Sequence, residues 1–230
     1  MKKFFVAFGL AIAWMAGHAA VSTELTATER AWLRGAQPVL AYAKNAGLPV
    51  DVIVQPQPTA GEPPLALAFV DGRCKLVLSM RGNPEADATL RRIAPDVLAE
   101  TIELMAAHEL GHCRRYLAGA WHGLPRGFVE RVPNGLSAEQ RVAYADMAAA
   151  RREEGYGDLV GLAWTAQRHP ELYGRLQAWL IDERSRDFVA GSPHDTLAWV
   201  RLGRRGDALA YASIFDAALV LWLDGLTLDN

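Results

Sequence analysis

The residues best suited to chemistry are His108, Glu109 and His112, in the run His108-Glu109-Leu110-Gly111-His112. Positions four apart share one face of an α-helix, so His108 and His112 can turn imidazole nitrogens toward a single metal ion. Glu109 is rotated off that face and can meet a water on the metal. Zinc takes N, O and S ligands in near-tetrahedral geometry, and a catalytic site keeps one position for water. The ion lowers the pKa of that water to about 7, and a neighbouring carboxylate can then take its proton. The competing reading is two histidines satisfied by local hydrogen bonds on a buried helix.

The spacing needs a helix, and the flanks supply one. Pro95 suits a first helical turn, and Asp96, Glu100 and Glu103 place negative charge near the positive helix N-terminus. Val97, Leu98, Ile102, Met105 and Leu110 give apolar coverage on more than one side, which predicts a mostly buried helix. Arg114 and Arg115 fall in the last turns, and Gly119 is the stop.

A third ligand must come from elsewhere. The metzincin extension would need Gly and His where this chain has Arg115 and Ala118, so that class is excluded. Downstream, Glu154 and Asp158 are four apart in Arg151-Arg152-Glu153-Glu154-Gly155-Tyr156-Gly157-Asp158. One carboxylate can bind the metal while the other holds a ligating histidine by its second nitrogen. The alternative for an Arg-Arg-Glu-Glu run is a solvated charged face.

With both motifs in view the chain resembles the gluzincin zinc metallopeptidases, whose thermolysin-like members use H-E-x-x-H followed by E-x-x-x-D. The run from Glu154 to Gly161 is most similar to the zinc endopeptidases that include the CAAX prenyl proteases. The resemblance covers two short motifs. It implies an α+β, zincin-like fold: a small N-terminal β-sheet, a central metal-binding helix and a helical C-terminal lobe. It implies Zn²⁺ on His108, His112 and Glu154, with Glu109 as general base and Asp158 steadying a histidine. It also implies a downstream group that hydrogen-bonds the oxyanion, for which His194 is the candidate and Tyr156 the other; Arg201 follows His194. Zincins place a sheet-edge strand beside the metal, and Lys75 to Met80 is the candidate here.

The remaining elements follow from local patterns. Ser22 to Asn45 reads as a helix ended by Gly47 and Pro49, and Val50 to Val54 as a short strand. Gln55 to Pro64 is a loop. Leu65 to Val70 and Arg73 to Met80, joined by Asp71-Gly72, form a β-hairpin. Residues 119–136 read as a surface loop carrying Trp121 and His122, with a substrate-facing role as the alternative. Ser137 to Gln140 is a capping-box start. It opens a helix toward Arg168 that the glycines at 155 and 157 interrupt. Further helices run from Pro170 to Arg186, from Ser192-Pro193 to Leu202, and from Asp207 to Leu223. Asp216 interrupts the last, which makes it a core helix rather than a membrane span.

Met1 to Ala20 has the form of a secretory signal peptide: Lys2 and Lys3, an apolar run to Ala16, and small residues near 17–20. A retained N-terminal anchor is the alternative. Cleavage leaves residues 21–230 as one domain in the periplasm or secreted, with no stable membrane span. Its 22 basic residues stand against 26 acidic, a net charge of −4, which does not suggest a nucleic-acid partner. The partner expected is a peptide or protein substrate. Two cysteines, Cys74 and Cys113, make an even count in an oxidising compartment, which favours a bridge over two buried thiols. The function expected is an exported zinc-dependent peptidase. The alternatives are an exported binding protein with a metal-stabilised helical core, and a metal-dependent hydrolase of a non-peptide amide. Protein made in a secreting host should begin, by N-terminal sequencing, near Ala20 or Val21; a chain beginning at Met1 or Lys2 in the membrane fraction would be an anchored one.

Overall fold

The computed structural model describes residues 24–55, 62–121, 123, 133–186, 188–209 and 213–227. The expected signal peptide, residues 1–20, lies outside them, as do Ser22, His122 and most of the loops at 55–64 and 119–136.

The architecture is mixed helix and sheet, mostly helical, with seven α-helices and one three-stranded sheet among the described residues. Helix α1 (Ala27–Asn45) starts on a capping box in which Thr26 and Glu29 each bond the other's backbone. Strands β1 (Val50–Val54), β2 (Leu65–Val70) and β3 (Arg73–Leu78) follow. The hairpin is as expected, with Asp71 and Gly72 both at positive φ (52° and 73°), the conformation of a two-residue primed turn. The sheet order is β1-β3-β2, with β1 parallel and β2 antiparallel to β3. The strand expected at the sheet edge, Lys75 to Met80, is therefore the central one. Both its edges are paired, because β1 docks on the side of β3 that the hairpin leaves open.

Helix α2 (Pro84–Arg92) is unanticipated, although its signals are present. Asn83 caps Glu85 N–H, Pro84 opens the first turn, and Arg91 and Arg92 close the last. A 3₁₀ turn at Pro95–Val97 then leads into α3 (Leu98–Leu117), which is buried over most of its length and ends at Gly119 with φ 63°. Helix α4 (Ala138–Arg168) starts on the expected Ser137–Gln140 capping box and runs unbroken through Gly155 and Gly157. Its first ten residues are exposed or nearly so; its second half is buried. Helix α5 (Tyr173–Ser185) follows a 3₁₀ turn at Pro170–Leu172. Ser192-Pro193 does not open a helix: residues 190–196 form a turn, and α6 covers only Leu197–Leu202. Gly206–Leu209 is a 3₁₀ turn, and α7 (Ile214–Thr227) is the last helix. No helix among the described residues is long and apolar enough to cross a membrane.

The glycines of α4 serve packing, which is why they do not interrupt it. The sheet and α1 pack around α3, and α4 packs along α3. At that crossing a Cβ on Gly161 would lie 2.8 Å from the Leu104 carbonyl oxygen, and one on Gly111 would lie 3.1 Å from the Gly157 Cα. Farther along, a Cβ on Gly155 would strike the Trp199 ring at 2.5 Å. Gly161→Ala should lower the unfolding free energy measured in urea by about 1–3 kcal/mol, since backbone meets backbone and the helices must part. That cost outweighs the roughly 1 kcal/mol of helix propensity that alanine adds. A more stable variant would mean that the crossing is looser than described.

Candidate metal centre

The α3–α4 crossing brings together the groups that sequence spacing singled out. His108 and His112 stand one turn apart on α3, and Glu154 and Asp158 stand one turn apart on α4. Gly157 lies between the two acids, and a Cβ there would sit 2.8 Å from the His108 ring. The absence of that atom lets the imidazole lie against the α4 backbone.

His108 Nε2 and His112 Nε2 are 3.0 Å apart. His108 Nε2 is 3.3 Å from Glu154 Oε2, and His112 Nε2 is 3.5 Å from Glu154 Oε1. Ligands bound about 2.0–2.1 Å from a tetrahedral zinc lie about 3.3–3.4 Å from one another. The spacings between neighbouring donors are close to that edge length, with the two histidines facing different oxygens of Glu154. His108, His112 and Glu154 form the one such group of potential ligands among the described residues.

Asp158 is fully buried and binds His108 Nδ1 at 2.9 Å. It also accepts from Arg184 through Nε (2.9 Å) and Nη2 (2.6 Å), and from the Thr196 hydroxyl. Burial alone would raise its carboxyl, but the Arg184 charge and the His108 bond hold it well below the usual carboxylate range. A carboxylate that accepts from so many donors is ionised, so His108 carries a proton on Nδ1 and turns Nε2 toward Glu154 and His112. Without a metal, a second proton on Nε2 supplies the positive charge among these groups; a metal would take its place. Burial pulls the His108 imidazole down, yet its bonds to Asp158 and Glu154 outweigh this and raise it to about 10. Glu154 is likewise held well below its ordinary range, against burial, by His108 and His112. Glu154 and Asp158, both held ionised, face one guanidinium, so once His108 gives up its extra proton the surplus negative charge suits a cation. The donor set and its charge fit a divalent metal.

Glu109 is buried beside the histidines, and burial raises its carboxyl more than their charges lower it. His194 is exposed in the turn before α6, with Nε2 3.7 Å from Glu154 Oε2, so it stands at the rim of the group. Tyr156 is not at the group: its hydroxyl donates to the Phe215 carbonyl at 3.3 Å and its ring packs on Trp222. Arg201 is also away from it, lining a surface cavity with Arg204, Arg205 and Asp207. The charged run at 151–154 is not a solvated face. Glu153 is buried and takes Arg115 at 2.8 Å, and the Arg115 guanidinium lies 4.7 Å from the centre of the Trp222 ring.

Arg184 and Thr196 are the site residues that sequence reasoning missed. Arg184 sits in an Asp-Glu-Arg-Ser-Arg run with no distinguishing pattern, and only the docking of α5 brings it to Asp158. Cys74 and Cys113 are bridged, as the export reading favoured. Compared with protein-family models, curated proteins and solved structures, the chain gives no match.

The raised His108 pKa has a sign that can be tested. With chelator present, protonated His108 stabilises the fold fully below its ordinary 6.5, and this contribution is lost as pH rises toward about 10. A metal must displace that proton. Adding zinc to chelator-stripped protein in weak buffer at pH 8 should release close to one proton per ion, read with a pH indicator. No acidification would mean that His108 is already neutral.

Proposed function

We propose that this chain is a zinc-dependent peptidase of gluzincin type acting outside the cytoplasm. The observation that carries the reading is the convergence of two imidazoles and one carboxylate, with 3.0–3.5 Å between neighbouring donor atoms, and a buried carboxylate, Glu109, next to the histidines. A purely structural metal site has no need of that base. His108, His112 and Glu154 would hold the ion. Zinc, when bound, supplies Lewis acidity toward a water and a carbonyl oxygen.

The chain's own groups divide the remaining work. Glu109, its pKa raised by burial, takes the water proton and returns it to the leaving amine. Asp158 fixes the His108 ring through Nδ1, and Arg184 and Thr196 fix Asp158. His194, at the rim, would donate to the carbonyl oxygen as it gains negative charge. In zincin-like terms the sheet lies beside the metal helix. The strand for a substrate backbone to extend is then β2, the outer strand against α3, and not the central β3.

Substitution separates an enzyme from a metal-stabilised binding protein. Glu109→Gln should keep about one zinc per chain while cleavage of a mixed peptide library falls by a factor on the order of 10² or more. Glu154→Ala should lose zinc. Asp158→Asn should weaken zinc binding about 10–100-fold. Glu153→Ala would leave zinc binding to the other acids but remove the carboxylate partner of half-buried Arg115. Wild type that binds zinc but cleaves no peptide, with or without chelator, would leave the binding-protein reading.

A further inference from the structure

The two ligand histidines are held in different ways. His108 has Asp158 behind it at 2.9 Å. His112 Nδ1 is buried and has no hydrogen-bond partner among the described residues. A ligating imidazole ordinarily gives its second N–H to an acceptor, which fixes the ring's rotation. Here packing must fix it.

Two tethers reach the turn of α3 that carries His112. One is aromatic. The Trp121 ring meets the His112 ring edge-on at 5.3 Å, Trp121 stacks on Tyr116 at 4.0 Å, and Tyr116 stacks on Phe69 of β2 at 5.1 Å. The other is covalent. Cys113, the residue after His112, is bridged to Cys74 of β3 with 5.6 Å between the Cα atoms, and both are fully buried. Phe69 and Cys74 face each other in the β2–β3 register. Both tethers therefore end on a single rung of the sheet. On α3 they attach at positions 113 and 116, three apart and so on one face.

We propose that this rung, through the Cys74–Cys113 bridge and the Phe69–Tyr116–Trp121 stack, orients His112 in place of the missing hydrogen bond, so that metal retention depends on a closed bridge. The inference rests on the zinc reading above. Coupling of this kind is reciprocal: if the bridge tightens zinc by some factor, zinc protects the bridge by the same factor. The site would then keep its ion in an oxidising compartment and release it in a reducing one.

The test is zinc affinity, by competition with a chromophoric chelator, in wild type and in Cys74→Ala/Cys113→Ala. Alanine leaves no thiol to act as a substitute ligand. The double variant, folded by circular dichroism, should bind zinc about 10–100-fold more weakly, the loss typical of outer support for a ligand. A bridge that only stabilises the fold would lower Tm and leave affinity unchanged, which would overturn the proposal. Should the variant not fold, the equilibrium between bridge and thiols in wild type decides, set by a dithiol redox buffer whose dithiol is oxidised to its own disulfide as the bridge takes up two electrons and two protons. Zinc should shift this equilibrium toward the bridge at least tenfold relative to chelator, and an unchanged equilibrium would overturn the proposal. Oxidised wild type that binds no zinc removes the metal reading and this inference together. Oxidised wild type that binds zinc no better than the folded double variant removes this inference alone.

Discussion

The close crossing of α3 and α4 is the constraint on which the rest of the structure depends. It works because side chains are missing where the helices meet: Gly111 on one helix, Gly157 and Gly161 on the other. Only with the backbones this near can side chains from α3 and α4 converge on one point with 3.0–3.5 Å between their donor atoms. The sheet and α1 on one side, and α5 to α7 on the other, keep the pair pressed together.

Burying carboxylates is costly unless each is paired, and this chain pairs most of them one to one. Glu29 meets Arg81, and Glu153 meets Arg115. Glu103 accepts from Trp164 Nε1 at 2.8 Å and lies 3.0 Å from His169. The metal centre departs from this rule. Glu109 and Glu154 share their surroundings with Asp158, and one guanidinium, that of Arg184, is set against all three among the described residues. The imbalance is local and shielded from water, so it acts strongly on whatever cation enters.

The sequence announced its chemistry through regular spacing. Two histidines and two acids, each pair four apart, need only a helix to become a cluster, and the caps around α3 and α4 made those helices legible. The hairpin was legible from Asp71-Gly72. Less was visible where tertiary docking decides. Nothing in the Val-rich pattern of β1 says that it joins β3 in parallel and so makes the expected edge strand a central one. Arg184 looks like any solvated arginine until α5 docks. The glycines at 155 and 157 read as helix breakers because propensity counts the backbone entropy they cost, whereas here the contacts they permit prevail. The charge at 151–154 left a solvated face open as the alternative, because a buried Glu153 is recognisable only with its distant partner, Arg115.

The uneven burial of α4 divides one continuous helix into two regimes of cooperativity. Among the described residues, those near 138–147 are exposed or nearly so and have little but their own hydrogen bonds to hold them. Isolated helical segments that short are marginal in water. Their amides open to solvent through local fraying, while those near Glu154 and Asp158 open only when the core does. The same rod therefore carries a labile end, able to melt and reform without disturbing the centre, and a rigid end that moves only with the whole molecule.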